Sequence, residues 1–537
     1  MKTKYKFFGW QSQDVLPIDK KYQQIKNQRD LYDLLDKIWS SDTCAPRMRP
    51  EWSINNKTLG QCSITSFLVQ DIFGGEVYGV PLENGGFHCY NRIGDVVFDL
   101  TSEQFGDKEL EYKLENPQKR EEHFKSEEKF ARYQLLCEKL DAALKNRVKK
   151  NAAKKIVKRV VVVSLMVVGT LVLAAGGYVG YVLLSYNRIG DKELQIDHKS
   201  TLETVKVGET YKAMTYNIGF GAYSQDYTFF LDTGYDENGK ATCGHYSTAK
   251  SKNHVNFNTN GAISAVLNEN PDFVMFQEVD TDSTRSYHVN QDKRIVESFG
   301  EFDHTHAVNF HTAFLPYPLY DMHGYVNAGL TTLSRYKMQY AERKQYTVDD
   351  GFSKYIDLDR CFSYSIINVD NGKKLYAVNS HMSAYDEGGL IRNKQVEELN
   401  VFLKERKENG DYVVIGGDWN HDLLTYNPDF SYDVDNRPFA PKTKTPDWVA
   451  YFFDKEGKAP LTEGYNVVAS DNTPTCRNND IEWEPGKTFT CCIDGFIVSD
   501  NVEVVNHKNV QTKNGDKGYD GFAFSDHDPA YLEFKLL

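Results

Sequence analysis

The sequence predicts an α+β protein in which two domains are joined by one membrane-spanning helix. Residues 160–186 form an apolar run without a charged side chain. Before this run, residues 1–145 combine helical patterning with two strand-like runs. After it, residues 200–537 alternate strand-like apolar runs with helical or loop segments. Because 537 residues exceed what one hydrophobic core usually organises, a chain divided by the apolar run is the expected arrangement.

The apolar run at residues 160–186 has the length of a transmembrane helix. At a rise of about 1.5 Å per residue, it crosses a hydrocarbon layer about 30 Å thick. Residues 146–159 are rich in Lys and Arg, whereas only Arg188 and Lys192 follow the run closely. This asymmetry predicts a single-pass protein of the cell membrane, with its N-terminal domain in the cytoplasm and its C-terminal domain outside the cell. The alternative is a buried helix between two soluble domains.

The composition of the chain argues against some binding partners and against a disulfide scaffold. A net charge of −13 disfavours bulk attraction to nucleic acid or to an anionic lipid surface. Nine cysteines are too few for a disulfide scaffold in a chain of this length. Gly176 and Gly180 would let two apolar helices approach closely, so a homodimer formed through the transmembrane helix is an expectation.

The first domain contains a cysteine at a predicted helix start. In LGQCSITSFLVQDIF, Gly60 and Cys62 precede an apolar-periodic run, and a helix N-terminus lowers the pKa of a thiol. Two strand-like runs follow, with His88 in the first and Asp99 in the second. A hairpin turning near Gly94 would place both side chains over the helix start, in the order nucleophile, base and orienting acid. The alternative is a small packed cysteine and a structural histidine.

This region resembles the small YunG-type bacterial domain over residues from about 30 to 140. The resemblance is carried by GQCSITSFLVQDIFGGEVYGV and by FHCYN followed by VFDLTSEQF. Its Cys–His–Asp order is also similar to the core of papain-like and transglutaminase-like proteins, which implies a small α+β fold. The charged helix that follows, before the membrane, is interpreted as a spacer that brings its basic end to the lipid surface.

In the second domain, strand-like runs end in polar residues. Any one of these residues has a simpler explanation as a turn former, but their recurrence predicts a single polar cluster at one edge of a sheet core. The cluster consists of Asn217, Glu278, His381, Asp418, Asn420, Asp494, Asp526 and His527.

The residue types in this cluster indicate phosphoester chemistry. Glu278 with nearby carboxylate and amide oxygens suits a hard cation such as Mg²⁺. His527 has Asp494 as a remote carboxylate that would orient it as a general base. Asp418 and Asn420 are two positions apart, so on an extended segment they face the same side, toward water and a phosphoryl oxygen. Direct attack of water is expected, with His381 as a further donor to the phosphoryl group.

These residues resemble the endonuclease/exonuclease/phosphatase superfamily, which includes the DNase I-like nucleases. The motifs TYNIG, PDFVMFQEVD, NSHMSA, VIGGDWNHD, IDGFIVS and SDHDPA stand in family order across residues 210–537. The resemblance implies a sandwich of two β-sheets flanked by helices, with Mg²⁺ or Mn²⁺ as cofactor. It also implies a role for each polar residue: Asn217 and Glu278 at the metal, His381 at the phosphate, Asp418 and Asn420 around the water and phosphoryl group, Asp494 orienting His527, and Asp526 at the metal or a second cation.

The sequence does not decide which of several phosphoesters is the substrate. Arg285, Tyr287 and His288 follow the metal glutamate closely and would grip a phosphate or a sugar, although a solvated loop explains them equally well. Membrane tethering raises the local concentration of headgroups, which favours a phospholipid or a lipid-linked phosphate over nucleic acid or a soluble phosphoester.

Three functions therefore compete. The first is a membrane-anchored, Mg²⁺-dependent phosphodiesterase or phosphatase that uses His527 as its general base. The second is a membrane sensor whose outer domain binds a phosphorylated ligand without turnover. The third concerns the first domain alone, as a thiol hydrolase or acyltransferase that uses Cys62.

Overall fold

The computed structural model describes residues 5–83, 85–236, 238–349, 351, 358–384, 390–426 and 461–537. The chain divides into two compact units, Met1–Leu173 and Ala174–Leu537. Each unit has its own sheets and its own hydrophobic clusters.

The first unit combines helices with one small antiparallel sheet. Its strands pair in the order β1-β2-β3, and β2 and β3 form the hairpin that the sequence predicts. Its elements within the described residues are α1 (Gln28–Ile38), α2 (Cys62–Phe73), β1 (Glu76–Pro81), β2 (Phe87–Ile93), β3 (Val96–Phe98), α3 (Arg120–His123) and the beginning of α4 (Glu127–Ser185).

Helix α4 is more than the predicted spacer. Its first turns bury Leu136, Leu140 and Leu144 in the same cluster as Leu31 of α1 and Ile72 of α2, so they form part of the domain core. The spacer interpretation is wrong for this part because the apolar residues recur at helical spacing and face the other two helices. The helix then continues without a break through the basic and apolar segments. It contains an apolar window with a mean hydropathy of 2.4 that is not buried, which suits a membrane span by length and composition.

The second unit contains two large sheets. In chain order, its described elements are β4 (Lys192–Glu193), β5 (Thr204–Val205), β6 (Thr210–Asn217), β7 (Thr233–Tyr235), β8 (Ala241–Cys243), α5 (Lys252–Asn268), β9 (Phe273–Asp280), α6 (Gln291–Ser298), β10 (Asp303–His311), β11 (Asn327–Ser334), β12 (Met338–Gln345), β13 (Cys361–Val369), β14 (Lys374–His381), α7 (Leu390–Asn409), β15 (Tyr412–Asp418), β16 (Tyr465–Val468), β17 (Cys476–Arg477), β18 (Thr490–Cys491), β19 (Asp494–Ser499), β20 (Val502–Asn509) and β21 (Ala530–Leu536).

The two sheets pack face to face. One has the order β10-β11-β9-β6-β21-β20 and the other the order β16-β19-β15-β14-β13-β12-β4, with β5 on β13. Side chains of both sheets share one buried cluster, among them Met275 of the first sheet and Val414 of the second. Helices α5 and α6 cover the outer face of the first sheet, and α7 covers that of the second. Because each sheet is covered on both faces, central strands such as β15 are buried along their whole length. The predicted α+β class is confirmed.

Candidate active site

The sheet register brings the polar strand ends together. The parallel strands β14 and β15 end side by side, so His381 stands opposite Asp418. Strand β19 runs antiparallel to β15 and places its first residue, Asp494, on the other side of Asp418. In the other sheet, β6 and β9 are parallel, and Asn217 at the end of β6 pairs with Gln277, the residue before Glu278. The predicted cluster is therefore assembled at one edge of the packed sheets.

Glu278 sits at an irregularity of β9. The pairing with β11 shifts between Phe276 and Val279, and Glu278 has a φ of 52°. A β-bulge of this kind re-aims a side chain that regular alternation would send elsewhere. Burial raises the pKa of Glu278, with a further rise from the charge of Asp526 and an opposing effect from Arg285.

Asn217 connects Glu278 with Asp418. Its Nδ2 atom lies 3.3 Å from Oε1 of Glu278 and 2.9 Å from Oδ2 of Asp418, while its Oδ1 atom accepts a hydrogen bond from the Gly219 amide at 3.0 Å. Gly219 has a φ of +49°, and a Cβ atom there would lie 2.9 Å from Oδ1 of Asp526. The loop after β6 therefore passes too close to Asp526 for any side chain at this position.

His527 is held between two carboxylates. Its Nδ1 atom lies 2.8 Å from Oδ2 of Asp494, and its Nε2 atom lies 3.9 Å from Oδ2 of Asp418. Burial alone would lower the pKa of His527, but Asp494, Asp418 and Asp526 raise it well above its ordinary value. Within the described residues, Oδ1 of Asp494 is buried without a hydrogen-bond partner. The imidazole is thus oriented through one nitrogen and presents the other to Asp418.

Asp418 and His381 form the opposite side of the cluster. Burial raises the pKa of Asp418 to about 6, with His527 opposing the rise and Asp494 adding to it. The Nε2 atom of His381 lies 3.4 Å from Oδ2 of Asp418. Burial, followed by the positive charge of Arg360, lowers the pKa of His381 well below its ordinary value. His381 is therefore a neutral donor or acceptor near pH 7.

Asn420 does not continue the strand, so the predicted extended spacing with Asp418 is wrong. Strand β15 ends at Asp418, and Asn420 has a φ of 51°, in the left-handed region that Asn tolerates. Its backbone amide donates to Oδ1 of Asp418 at 2.9 Å, and its Nδ2 atom donates to the Met382 carbonyl at 2.9 Å. Asn420 belongs to the cluster through a turn that fixes the Asp418 carboxylate.

Asp526 is oriented by neighbouring polar groups. Asn479 donates to its Oδ2 atom at 2.9 Å, and the Ser525 hydroxyl lies 3.2 Å from its Oδ1 atom. The same hydroxyl donates to the Asn217 carbonyl at 2.8 Å, which ties the segment carrying His527 to the end of β6.

The three residues predicted to bind substrate differ in their exposure to solvent. Arg285 is buried, with its Nε and Nη2 atoms 3.2 and 2.9 Å from the Asp280 carboxylate and its guanidinium 3.9 Å from the Phe220 ring. Tyr287 is 40% exposed, and His288 is exposed with Nδ1 2.6 Å from Asp282. The Arg285 fork is committed to Asp280, so its expected role as a free phosphate clamp is replaced by a structural ion pair.

Arg360 is a polar residue of this region that the sequence interpretation missed. It is 4% exposed, and within the described residues its Nε and Nη1 atoms are buried without a partner. Its charge acts on both His381 and Glu278, which places it beside the cluster. Arg360 directly precedes the apolar strand β13, so its position at a strand start is visible in the sequence. A rule based on residues that end strands does not include it.

The first unit also assembles its predicted residues. Cys62 is the first residue of α2, His88 lies in β2, and Asp99 directly follows β3. The Nε2 atom of His88 is 2.5 Å from Oδ2 of Asp99. Gln104 connects His88 with the segment before Cys62, since its Nε2 atom lies 3.4 Å from Nδ1 of His88 and its Oε1 atom accepts from the Gly60 amide at 3.3 Å.

Fold and sites together define a class: an α+β sandwich with an acidic and imidazole cluster at one sheet edge, preceded by a small α+β domain with a Cys–His–Asp set. The chain belongs to the Endonuclease/Exonuclease/phosphatase family, whose model matches residues 214–527, and its N-terminal part belongs to the YunG protein family, whose model matches residues 27–145. The uncharacterized protein YunG of Bacillus subtilis (strain 168) is 35% identical over 91 residues, which cover 17% of this chain and 72% of that protein.

Several solved structures are similar to the chain. TDP2 from D. rerio with a single-stranded DNA product is 14% identical, with a TM-score of 0.37 and coverage of 61% of this chain and 99% of that chain. ANGEL2, a 2′,3′-cyclic phosphatase in complex with adenosine-2′,3′-vanadate, is 13% identical, with a TM-score of 0.39 and coverage of 64% and 99%. A family protein from Leptotrichia buccalis C-1013-b is 13% identical, with a TM-score of 0.37 and coverage of 61% and 100%.

Proposed function

We propose that the second unit is a phosphoesterase that cleaves its substrate by direct attack of water. The observation that carries this proposal is the arrangement around His527, which Asp494 holds through Nδ1 while Nε2 faces Asp418. Activation of water requires a base that is held in one orientation and that faces the site of the water. His527 meets this requirement, because Asp494 orients it and Asp418 lies on its other side. Membership of the Endonuclease/Exonuclease/phosphatase family supports the same reaction class.

Each residue of the cluster has a distinct task in this proposal. His527 accepts the proton of the attacking water at Nε2, and Asp494 stabilises the imidazolium that results. Asp418 holds the water beside Nε2, in an orientation fixed by the Asn217 and Asn420 hydrogen bonds. His381 and Arg360 stabilise the negative charge that develops on the phosphoryl oxygens. His381 lies 3.4 Å from Asp418, and Arg360 is buried next to β13, which pairs with the strand of His381.

The residues fit a hard divalent cation, with Mg²⁺ or Mn²⁺ as the proposed cofactor. Their donors are carboxylate and amide oxygens. Burial raises the pKa of Glu278, and Arg285 forms its ion pair with Asp280 instead of with Glu278. Glu278 and Asp526 would hold the ion through carboxylate oxygens, and Asn217 would join them by turning its Oδ1 atom toward Glu278 in place of Nδ2. When bound, it would stabilise charge on the phosphoryl oxygens and lower the pKa of His527 toward the range of a useful base.

A second set of ligand atoms also lies close enough to surround an ion. One ligand atom from each of Asp418, Asp494 and His527 falls within 4.8 Å of the others. We assign this set to water activation instead, because His527 and Asp494 already bond each other through Nδ1 and Oδ2. The ion is therefore assigned to the Glu278 side of the cluster.

The test uses the full-length chain in detergent with bis(p-nitrophenyl) phosphate and, in parallel, phospholipid, DNA, RNA and inositol phosphates. Activity should disappear with EDTA and return with Mg²⁺ or Mn²⁺. His527→Gln should lower kcat by a factor of about 10² or more, the usual contribution of a general base. His507→Gln, on the exposed part of β20, is the matched control. Stoichiometric binding of a phosphorylated ligand without product would contradict the proposal, as would full activity of His527→Gln.

Anchoring in the cell membrane through α4 completes the proposed function, and it favours a lipid-borne phosphoester. Support comes from the exposed apolar window of α4 and from the Lys and Arg residues on its N-terminal side. Cys243 is exposed in the second unit and offers a topology probe. A membrane-impermeant maleimide should label Cys243 in intact cells, whereas Cys62 should react only after permeabilisation. Labelling of Cys243 only after permeabilisation would reverse the assigned orientation.

A further inference from the structure

The first unit contains a buried and fully oriented imidazole–carboxylate pair. His88 and Asp99 are each 1% exposed, and Nε2 of His88 lies 2.5 Å from Oδ2 of Asp99. The hydroxyl of Tyr112 donates to the same oxygen at 3.0 Å, while the amide and hydroxyl of Thr101 donate to Oδ1 at 2.8 and 2.9 Å. These donors fix the carboxylate, which in turn fixes the imidazole with Nε2 occupied. Nδ1 is then the ring nitrogen left for the thiol, and it also lies 3.4 Å from Nε2 of Gln104.

Cys62 stands where a thiolate is stabilised and accessible. It is the first residue of α2, and its side chain is half-buried rather than enclosed. A hydrogen bond from the Cys89 thiol lowers the pKa of Cys62 well below its ordinary value, and His88 adds to this effect against the opposing effect of burial. Asp99 and Cys62 in turn raise the pKa of His88 to about 10, although burial alone would lower it. These opposite shifts favour the thiolate–imidazolium form of the Cys62–His88 pair.

Two other cysteines of the same unit have a raised rather than a lowered pKa. Burial raises the pKa of Cys44 and of Cys137. Cys137 is half-buried, as Cys62 is, so exposure alone does not explain the difference. The difference comes from the helix start and from the two hydrogen-bonding neighbours on β2.

Donors for a developing oxyanion are also present beside the thiol. The first backbone amides of an α-helix have no acceptor within the helix, and in α2 these belong to Cys62 and the residues that follow it. Amides in this position point out of the helix N-terminus, close to any carbonyl that is bonded to Sγ. Attacking atom, base, orienting acid and oxyanion donors thus coincide at one end of α2.

We propose that Cys62, His88 and Asp99 form a second catalytic centre, which transfers acyl groups from thioester, ester or amide substrates through an S-acyl intermediate on Cys62. This activity is independent of the phosphoester cluster of the second unit. Cys62 and His88 are its catalytic residues, and Asp99 and Cys89 are positioning residues.

The reaction balances with groups already present. The Cys62 thiolate attacks the substrate carbonyl carbon, the bond from that carbon to the leaving oxygen, sulfur or nitrogen breaks, and the His88 imidazolium gives its proton to the leaving group. Water or an acceptor amine or thiol then attacks the thioester and passes its proton to His88. Cys62 departs as a thiolate, which restores the starting ion pair.

The test uses the full-length chain in detergent, with p-nitrophenyl acetate and iodoacetamide as probes. We expect a stoichiometric burst of p-nitrophenolate, with the acetyl group found on Cys62 by peptide mass spectrometry and absent from Cys62→Ser. At pH 6, iodoacetamide should modify Cys62 at least about tenfold faster than Cys137 in the same sample, because the pKa of Cys62 is lowered and that of Cys137 is raised. The titratable groups around the pair are Asp99 and Tyr112 beside His88, Cys89 on β2, His123 on α3 and Lys129 on α4.

Two variants separate catalysis from structure. His88→Gln keeps a polar side chain but removes the imidazolium, so the alkylation rate of Cys62 at pH 6 should fall to that of Cys137. Cys89→Ser keeps a hydrogen-bond donor and should retain the burst, whereas Cys89→Ala should slow it. His88 is buried, so His88→Gln can fail to fold. In that case, the alkylation rates of Cys62 and Cys137 at pH 6 in the unmodified chain decide whether the proposal holds. Equal alkylation rates of the two cysteines at pH 6, or no acetyl group on Cys62, would overturn the proposal.

Discussion

The side-chain amide of Asn217 joins the two sheets of the second unit, with Nδ2 2.9 Å from Oδ2 of Asp418. Asn217 ends β6 of one sheet, and Asp418 ends β15 of the other. The same nitrogen lies 3.3 Å from Glu278, so one amide spans the proposed metal ligands and the proposed water-activating residues. The position of the proposed metal ligands relative to the proposed water-activating residues therefore depends on the Asn217 side chain.

Asn217→Ala should impair catalysis more than folding. The variant removes hydrogen bonds to two carboxylates, each worth about 1.5–3 kcal/mol when the partner is charged. We expect kcat/KM for bis(p-nitrophenyl) phosphate to fall by a factor of about 10 to 100, with a higher Mg²⁺ concentration needed for half-maximal activity. Asn371→Ala is the control, because it removes an amide that donates to the Tyr412 hydroxyl at 2.9 Å. Equal losses in both variants would argue against a specific role for Asn217.

Gly219→Ala should destabilise the second unit and distort the cluster. The new Cβ atom would meet Cδ2 of Tyr223 at 2.5 Å and Oδ1 of Asp526 at 2.9 Å, in addition to the cost of a φ of +49°. Gly208→Ala is a matched control, since Gly208 has a φ of +80° but no atom within 4 Å of a Cβ.

Both substitutions carry the backbone cost of about 1–2 kcal/mol, and only Gly219→Ala carries the clash. We expect urea denaturation to show a larger loss of unfolding free energy for Gly219→Ala, together with loss of phosphoesterase activity. Gly208→Ala should keep full activity. Similar behaviour of the two variants would mean that the loop after β6 can move away from Asp526.

Arg360→Ala should weaken substrate binding. Arg360 is buried, its charge lowers the pKa of His381, and two of its nitrogens have no partner within the described residues. Such a group is suited to a phosphate, and the loss of one charged hydrogen bond predicts an increase in KM of about tenfold or more. Arg294→Ala, which removes a cation near Asn260 instead, is the control. An unchanged KM together with a lower unfolding free energy would make Arg360 a structural residue.

The sequence predicts the polar cluster well because it depends on topology. Residues at the ends of neighbouring strands must meet at one sheet edge, and that rule alone groups His381, Asp418 and Asp494. The bulge at Glu278 and the left-handed conformation of Asn420 escape the same reasoning. Both depend on pairing shifts and turn geometry that no local pattern of residue types specifies.

Two other features could not be predicted for a related reason. The commitment of Arg285 to Asp280 depends on a buried environment formed by Phe220, which is distant in the sequence. In the first unit, the hairpin turn at Gly94 predicts the His88–Asp99 pair, but no pattern in the sequence predicts the contact of Gln104 with His88. Contacts between helix and sheet are set by packing, not by spacing along the chain.

The stability of the first unit should change little with pH between about 6.5 and 9, because two titrations oppose each other there. In an unfolded chain, histidine titrates near 6.5 and cysteine near 9.0. The raised pKa of His88, about 10, gives stabilisation that is complete below pH 6.5 and lost as the pH rises toward 10. The lowered pKa of Cys62 gives stabilisation that is complete above pH 9 and lost as the pH falls. Between these limits the two effects have opposite slopes, so the net dependence of stability on pH is weak.

Cys62→Ser should convert this plateau into a decline. The variant removes the thiolate contribution, while Asp99 still raises the pKa of His88, so the unfolding free energy should fall above about pH 6.5 by up to about 1.4 kcal/mol per pH unit. Hydrogen exchange of residues 62–73, corrected for the intrinsic pH dependence of exchange, measures this locally in the full-length chain. Cys137→Ser should keep the plateau, because the pKa of Cys137 is raised and it forms no thiolate in this range. Identical slopes in the unmodified chain and Cys62→Ser would show that Cys62 and His88 do not exist as an ion pair.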